Sequence, residues 1–102
     1  MSNNNDKIIQ EILESIKEML YSWGFKKVMV GGKYNYEYKG HYCIPNYLHT
    51  LGFFVKRAHN YNDAMKNFHE DGDCYALSLG KTQILEEIET ELIKDVLGRD
   101  SW

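Results

Sequence analysis

Histidine, cysteine and acidic side chains are the groups of this 102-residue chain that could hold a metal ion. The candidate ligands are His41, Cys43, His59, His69, Asp71, Asp73 and Cys74. Structural zinc sites use paired ligands such as C-x-x-C or H-x-x-x-H, and the best pair here, His41-x-Cys43, has no second pair to match it. The EDGD stretch at 70–73 also lacks the twelve-residue ligand series of a calcium loop. The spacing therefore predicts no metal site.

Covalent and phosphate chemistry have little support in the sequence. Cys43 or Cys74 beside a histidine could form a nucleophilic thiolate pair, but no local signature surrounds either cysteine. The chain contains no glycine-rich phosphate loop, dinucleotide fingerprint, nucleophile elbow or H-E-x-x-H motif. We therefore expect no catalytic residue, no cofactor and no enzymatic activity. A small-molecule or metal-binding domain that uses His41, Cys43, His69 and Cys74 is the alternative.

Three tyrosines at alternate positions form the first candidate binding surface. The row consists of Tyr34, Tyr36 and Tyr38, which share one face of an extended strand. A two-residue turn at Lys39-Gly40 would pair Tyr38 with His41. The next pair in that register is Tyr36 with Cys43. The rings either seal the core or form a contact platform of the kind that protein interfaces favour. Stacking of nucleic-acid bases is a third interpretation.

Acidic residues near the C-terminal end form the second candidate surface. They are Glu70, Asp71 and Asp73 in a turn, and Glu86, Glu87, Glu89 and Glu91 on the last predicted helix. On a helical wheel Glu86, Glu87 and Glu91 point away from the apolar stripe, so we expect them to be exposed. They form either a solvated helix face or a surface that imitates phosphates and occupies the basic cleft of a partner.

The charge distribution favours a basic protein as the partner. Residues 1–69 hold nine Lys or Arg and six acids, whereas residues 70–102 hold three basic residues and nine acids. Because phosphate binding requires clustered Lys and Arg, this acidic third disfavours nucleic acid as the ligand. The sequence has no apolar run of membrane-spanning length, and MSNNNDK is unlike a secretory leader. With only two cysteines, we expect a cytoplasmic protein with reduced thiols.

The pattern of apolar residues predicts a helix followed by a meander of strands. Apolar residues at spacings of three and four predict a helix over 6–22, ended by Gly24. Strands are predicted at 25–30, 33–38, 41–44 and 51–57, with hairpin turns at Gly31-Gly32 and Lys39-Gly40. Because proline lacks an N–H group, the third strand should end at Pro45 or lie on an edge, followed by a loop over 46–50.

The remaining elements complete an α+β pattern within one domain, 1–102. A short helix at 63–69, with Asn60, Asn62 or Asp63 as caps, precedes a strand at 74–79. Thr82 is the expected N-cap of a final helix that ends before Gly98, and 1–5 and 99–102 should be frayed. We predict an antiparallel sheet of four to five strands, with the N-terminal and C-terminal helices packed on one face. The other face is then free for solvent or a partner.

The stretch from YSWGF at 21–25 through the meander to NYNDAMKNFHEDGD at 60–73 resembles the small α+β immunity proteins of bacterial polymorphic-toxin systems. In those families an aromatic-rich meander precedes a helix that starts like Tyr61-Asn62-Asp63-Ala64-Met65. The resemblance implies a cytoplasmic bacterial protein that neutralises a cognate toxin, and it transfers no contact residue. A weaker similarity to antitoxins lacks their Pro-Asp-Leu-Pro-Gly stretch, because this chain has Pro45-Asn46-Tyr47-Leu48 there.

Together these observations favour a non-enzymatic inhibitor that covers the active cleft of a basic toxin domain, without nucleic acid or membrane as partner. The expected contact residues are Tyr34, Tyr36, Tyr38, Glu70, Asp71, Asp73, Glu87 and Glu91. A homo-oligomer whose tyrosine face is self-complementary remains a further alternative.

Overall fold

The computed structural model describes residues 4–98 and confirms the predicted α+β class. In chain order its elements are α1 (Asn4–Ser22), β1 (Lys26–Val30), β2 (Lys33–Tyr38), β3 (His41–Leu48), β4 (Gly52–Ala58), α2 (Tyr61–Met65), a 3-10 turn (Leu77–Leu79) and α3 (Lys81–Leu97). The predicted fraying at 1–3 and 99–102 lies outside the described residues, whereas Asn4 and Asn5 already belong to α1.

The four strands form one antiparallel sheet in the order β1-β2-β3-β4. Both predicted hairpin turns are present, at Gly31-Gly32 and Lys39-Gly40, and their φ angles lie between 49° and 85°. Positive φ at both central residues is what a type I′ hairpin turn requires, and its twist matches that of the strands. The second turn sets Tyr36 opposite Cys43, which confirms the predicted register.

α1 and α3 cover the same face of the sheet and bury the main core there. The buried residues are Ile9, Ile12, Ile16 and Leu20 of α1, Ile84, Ile88, Leu92 and Val96 of α3, and Tyr36, Cys43, Phe53 and Val55 of the sheet. Fully burying one such aliphatic side chain stabilises the fold by about 1.5–3 kcal/mol. The apolar stripes of the two helices therefore decide which face of the sheet they cover, as the sequence predicts.

α2 covers part of the opposite face, which the sequence predicts to be free. Ala64 of α2 is fully buried and forms a small cluster with Val30. Beside it, the fully buried Asn35 donates from Nδ2 to the Lys33 carbonyl at 3.0 Å. Its amide oxygen lies 2.7 Å from Nε2 of His69. Since every polar group of Asn35 finds a partner, this burial needs no water.

The prediction that β3 ends at Pro45 and is followed by a loop over 46–50 is wrong, because β3 continues to Leu48. The alternative, that Pro45 lies on an edge, holds locally, although β3 as a whole lies between β2 and β4. The pairing of β2 with β3 runs only from Tyr38↔His41 to Tyr36↔Cys43. β4 alone pairs with β3 beyond that point, and its register sets Val55 opposite Pro45. The strand can therefore contain proline, since its β2 side is already unpaired there.

The predicted fifth strand at 74–79 is also wrong. Tyr75 forms a single antiparallel bridge with Phe53, and Glu70 forms another with Arg57, so 70–75 follows the outer edge of β4 without becoming a strand. After Tyr75 the chain leaves the sheet edge to reach α3. In the intervening 3-10 turn, the N–H of Leu79 donates to the carbonyl of Ala76.

Two helix starts also differ from the prediction. α2 begins at Tyr61 rather than at residue 63, and the side chain of Asn60 caps it by accepting from the N–H of Asp63 at 2.8 Å. α3 begins at Lys81 with Gly80 at its N-cap, so Thr82 lies inside the helix. These changes shift the helix boundaries and leave the order of elements unchanged.

Substitution of Gly52 tests how closely the 70–75 segment approaches β4. Its φ is 95°, and an added Cβ would collide with the backbone of Tyr75. Gly32 is the matched control, because its φ of 80° is similar but no heavy atom lies within 4 Å of an added Cβ. We expect Gly32→Ala to lower the free energy of unfolding by about 1 kcal/mol, from backbone strain alone. Gly52→Ala should lower it by about 3 kcal/mol, as measured by urea unfolding. Equal losses would contradict the close approach.

Candidate functional site

Arg57 of β4 is a charged residue on the helix-covered face of the sheet, and it is only 7% exposed. Its Nη1 donates to Oε2 of Glu91 at 2.6 Å. Its Nη2 pairs with Oδ2 of Asp95, one turn further along α3, at 2.8 Å. Since an unpaired buried charge is strongly destabilising, these two carboxylates are what permits a guanidinium at this place in the core.

Glu91 connects Arg57 to the segment that precedes α3. Its Oε2 also accepts from the backbone N–H of Asp73 at 3.0 Å, and its Oε1 accepts from the hydroxyl of Tyr75 at 2.8 Å. Burial, this hydrogen bond and the nearby carboxylates raise the pKa of Tyr75 above its ordinary value. One carboxylate thus joins three parts of the chain: β4, α3 and 70–75.

The expectation that Glu91 is exposed is therefore wrong. Its side chain is only 11% exposed, because Arg57 lies beneath it on the sheet. Glu87, one turn earlier on α3, is exposed as predicted. A helical wheel shows which residues avoid the apolar stripe, but it contains no information about charges on a neighbouring strand.

A shallow cleft of about 250 Å³ lies between the 70–75 segment and α3, and we call it the acidic cleft. Its lining residues are Asp73, Tyr75, Glu87, Thr90, Glu91, Lys94 and Asp95. Four carboxylates and one lysine line it, so negative charge predominates. The same charge extends to the adjacent turn, which carries the exposed Asp71 and Asp73. Burial, followed by the carboxylates of Asp71, Asp73 and Glu91, raises the pKa of the Cys74 thiol.

Glu70 and Asp71 extend this acidic surface along the edge of β4. The backbone of Glu70 exchanges two hydrogen bonds of 2.8 Å with Arg57, while its carboxylate is 82% exposed. Nε2 of His59 lies 4.0 Å from that carboxylate. Asp71 is exposed in the turn. Among the predicted acidic contact residues, Glu70, Asp71, Asp73 and Glu87 remain accessible, and Glu91 is engaged inside the protein.

The predicted tyrosine row exists, but two of its three rings pack against other side chains of the protein. Tyr36 is 5% exposed and meets the ring of Tyr21 edge-on at 5.5 Å. Burial, followed by the contact with Tyr21, raises the pKa of Tyr36 to about 12. Tyr38 stacks on Phe25 at 5.2 Å. The core-packing interpretation therefore describes Tyr36 and Tyr38, and replacing Tyr36 by Ala would create a cavity rather than remove an exposed contact.

Tyr34 is the member of the row that presents its ring to solvent. It is 57% exposed, and Nζ of Lys27 lies 4.3 Å from the centre of its ring. A cation over an aromatic face is worth about 0.5–1 kcal/mol at an exposed site. The contact therefore gives the Tyr34 ring only a modest preference for this orientation, at the β1 side of the sheet.

The candidate metal ligands are not brought together. Within residues 4–98 no three His, Cys, Asp or Glu side chains are grouped closely enough to hold a metal ion. Cys43 is fully buried, and this burial raises the pKa of its thiol to about 12. Nδ1 of His41 lies 3.1 Å from Nδ1 of His59. His69 is held by Asn35, on the opposite face of the sheet from Cys43.

Arg57 and Asp95 are the site residues that the sequence reasoning missed. The signal was present in β4, where strand alternation places Arg57 on the same face as Phe53 and Val55. A charged residue in the core-facing register of a strand requires a buried partner of opposite charge. Glu91 and Asp95 at i and i+4 of the facing helix meet that requirement.

Fold and site together define an α+β protein in which a four-stranded meander carries an acidic surface at its β4 edge. Comparisons with protein-family models, with curated proteins and with solved structures found no match to this chain. None of the helices within residues 4–98 combines the length and the apolar character needed to cross a bilayer. The structure and its chemistry therefore carry the functional argument.

Removing the carboxylate of Glu91 should destabilise the protein far more than removing that of Glu87. Glu91→Ala leaves Arg57 with one carboxylate and deprives Asp73 and Tyr75 of their acceptor. We expect a loss of about 3 kcal/mol in the free energy of unfolding. Glu87→Ala, on the same helix but exposed, should change it by less than about 0.5 kcal/mol. Urea unfolding of both variants measures this, and similar values would show that the Arg57 pair is not buried in solution.

Protonation of His41 and His69 should lower stability as the pH falls. Burial, together with the charge of His59, lowers the pKa of His41, and burial beside Lys33 and Lys56 lowers that of His69. Below their ordinary pKa of about 6.5 the unfolded chain therefore binds more protons than the folded one. The stabilisation is complete above that pH and is lost as the pH falls through the lower folded-state values.

The measurement is the free energy of unfolding at about pH 7.5 and 5.5. His41→Gln with His69→Gln should reduce the difference between the two values. His49→Gln is the control, since His49 is exposed in the β3–β4 turn and takes part in neither contact. An unchanged difference in the double variant would contradict the assignment.

Proposed function

We propose that this protein is a non-enzymatic inhibitor that binds a basic protein partner through its acidic face. We define the acidic face as Glu70, Asp71, Asp73 and Glu87 together with the acidic cleft. The observation that supports this proposal is the convergence of carboxylates from 70–75 and from α3 around Tyr75. A surface of one charge attracts a surface of the opposite charge, raises the association rate and disfavours partners of like charge.

The internal contacts of Glu91 make this face suitable for binding. Arg57 fixes Glu91, and Glu91 holds the backbone of Asp73 and the hydroxyl of Tyr75. The turn that carries the exposed carboxylates is therefore ordered before any partner arrives. Ordering a loop on binding has an entropic cost that lowers affinity. A face that is already ordered avoids most of this cost.

The partner that we propose is a toxin domain with a basic active cleft, as the resemblance to the immunity proteins of bacterial polymorphic-toxin systems implies. Exposed carboxylates spaced along the β4 edge can occupy positions where the active cleft of such a toxin would hold phosphates. We further propose a bacterial cytoplasmic location. Its support is that both cysteines are free, with Cys43 sealed in the core, because reduced thiols are typical of that compartment.

Affinity capture from the cells that naturally produce this protein identifies the partner, and binding to that purified partner tests the proposal. We expect a basic protein, one-to-one with this chain, whose affinity falls as salt rises because exposed charges are screened. Adding this protein should also abolish the activity of the captured domain.

Charge reversal locates the contact. Glu87→Lys with Asp71→Lys should weaken binding by more than about 2 kcal/mol, about thirtyfold in the dissociation constant. Glu11→Lys with Glu18→Lys makes the same change of net charge on exposed positions of α1 and is the matched control. Equal effects of the two pairs, or binding that is insensitive to salt, would refute the acidic face as the contact.

A further inference from the structure

The outer edge of β1 is the second feature of the fold that can bind a protein. β1 lies at one end of the sheet, and within residues 4–98 neither a strand nor an isolated bridge pairs with its outer side. The opposite edge, on β4, is protected by the bridges to Glu70 and Tyr75. An exposed strand edge is a template for a further strand.

The turn before β2 shows which backbone groups point outward. Val30 and Lys33 flank the two-residue turn, so they form the hydrogen-bonded pair nearest to it. The direction of the backbone N–H and C=O groups alternates from residue to residue along a strand. Those of Lys27 and Met29 therefore point away from β2. These two residues, with Val28 between them, form a short unpaired row of donors and acceptors.

Apolar side chains lie beside this row. Met29 is 56% exposed and Tyr34 is 57% exposed, and the two face each other across β1 and β2. Both side chains lie on the face of the sheet that α1 covers. On that face Tyr36 is buried, whereas Met29 and Tyr34 remain exposed. A chain added to the edge would cover the part of the apolar surface that α1 leaves open.

We propose that a second copy of this chain pairs antiparallel along β1, with the two-fold axis at Val28. In this register Lys27 lies opposite Met29 of the second copy, and Lys26 lies opposite its Val30. Lys27 and Met29 are the residues with outward backbone groups, so the two copies exchange four N–H···O bonds. The result is a continuous sheet of eight strands.

The charge pattern of β1 is what favours a second copy over an unrelated strand. Its sequence is KKVMV, with both lysines at one end and no charge at the other. Antiparallel pairing about the centre sets the charged end of each copy against the uncharged end of the other, so no two lysines lie directly opposite. Like charges directly opposite would be destabilising, and this register of β1 with itself avoids them, whereas an in-register parallel copy would set each lysine beside its own equivalent.

The dimer leaves the acidic face free, because that face lies at the β4 edge, at the other end of the sheet. The inference is thus independent of the proposed inhibitor function. Either one can fail without the other.

Sedimentation over a range of protein concentrations tests the dimer. The wild-type chain should sediment as a monomer–dimer equilibrium. Met29→Lys places a lysine opposite Lys27 twice and should raise the dissociation constant by more than about tenfold. Met29→Pro removes an outward N–H that an edge strand does not need, so it should also give a monomer while the fold is retained.

A rescue and a control make the result specific to β1. Lys27→Glu combined with Met29→Lys sets opposite charges face to face and should restore the dimer. Leu51→Lys adds the same charge at another exposed apolar position, in the β3–β4 turn, and should leave the dimer intact. Thermal unfolding confirms that each variant is folded. A wild-type chain that is monomeric at every concentration, or a dimer that resists both Met29 variants, would overturn the proposal.

Discussion

The buried charge of Arg57 is the constraint on which much of this structure depends. A guanidinium in the core is tolerated only when carboxylates neutralise it and hydrogen bonds satisfy its donors. Glu91 and Asp95 are the carboxylates, so α3 must lie in one register along β4. The backbone of Arg57 also exchanges hydrogen bonds with Glu70, which fixes where the 70–75 segment begins. Arg57 therefore helps to set the register of α3, the path of the 70–75 segment and the shape of the acidic cleft between them.

The same constraint separates internal from external roles among the acidic residues. The carboxylate of Glu91 accepts hydrogen bonds from Arg57, Asp73 and Tyr75, and its side chain is largely buried as a result. Its neighbours Glu87 and Asp71 stay exposed on a scaffold that Glu91 holds in place. The two ends of the sheet consequently differ: the β4 edge is covered and acidic, whereas the β1 edge is open and carries lysines.

Elements specified by neighbouring residues were predicted well from the sequence, and elements specified by distant residues were not. The long helices follow from apolar spacing, and the hairpins follow from Gly31-Gly32 and Lys39-Gly40, so the register of Tyr36 with Cys43 could be derived locally. The predicted end of β3 at Pro45 is wrong, because a strand tolerates proline where its N–H side is unpaired, and the point where β2 stops pairing with β3 is not a local property of the sequence. The prediction of a strand at 74–79 is wrong for a similar reason. Alternating apolar residues indicate a buried face, but they do not reveal where the chain must leave the sheet to reach a helix.

The sequence by itself determined the α+β class, the order of the three helices and the first four strands, and the concentration of acidic residues in the last third of the chain, because periodicity, turn residues and composition are local properties. Only the tertiary structure decided which candidate residues are accessible. α1 buries Tyr36, and Arg57 draws Glu91 inward across 34 positions of the chain. Burial and charge pairing join residues that are remote in sequence, so they exist only once the helices are packed on the sheet.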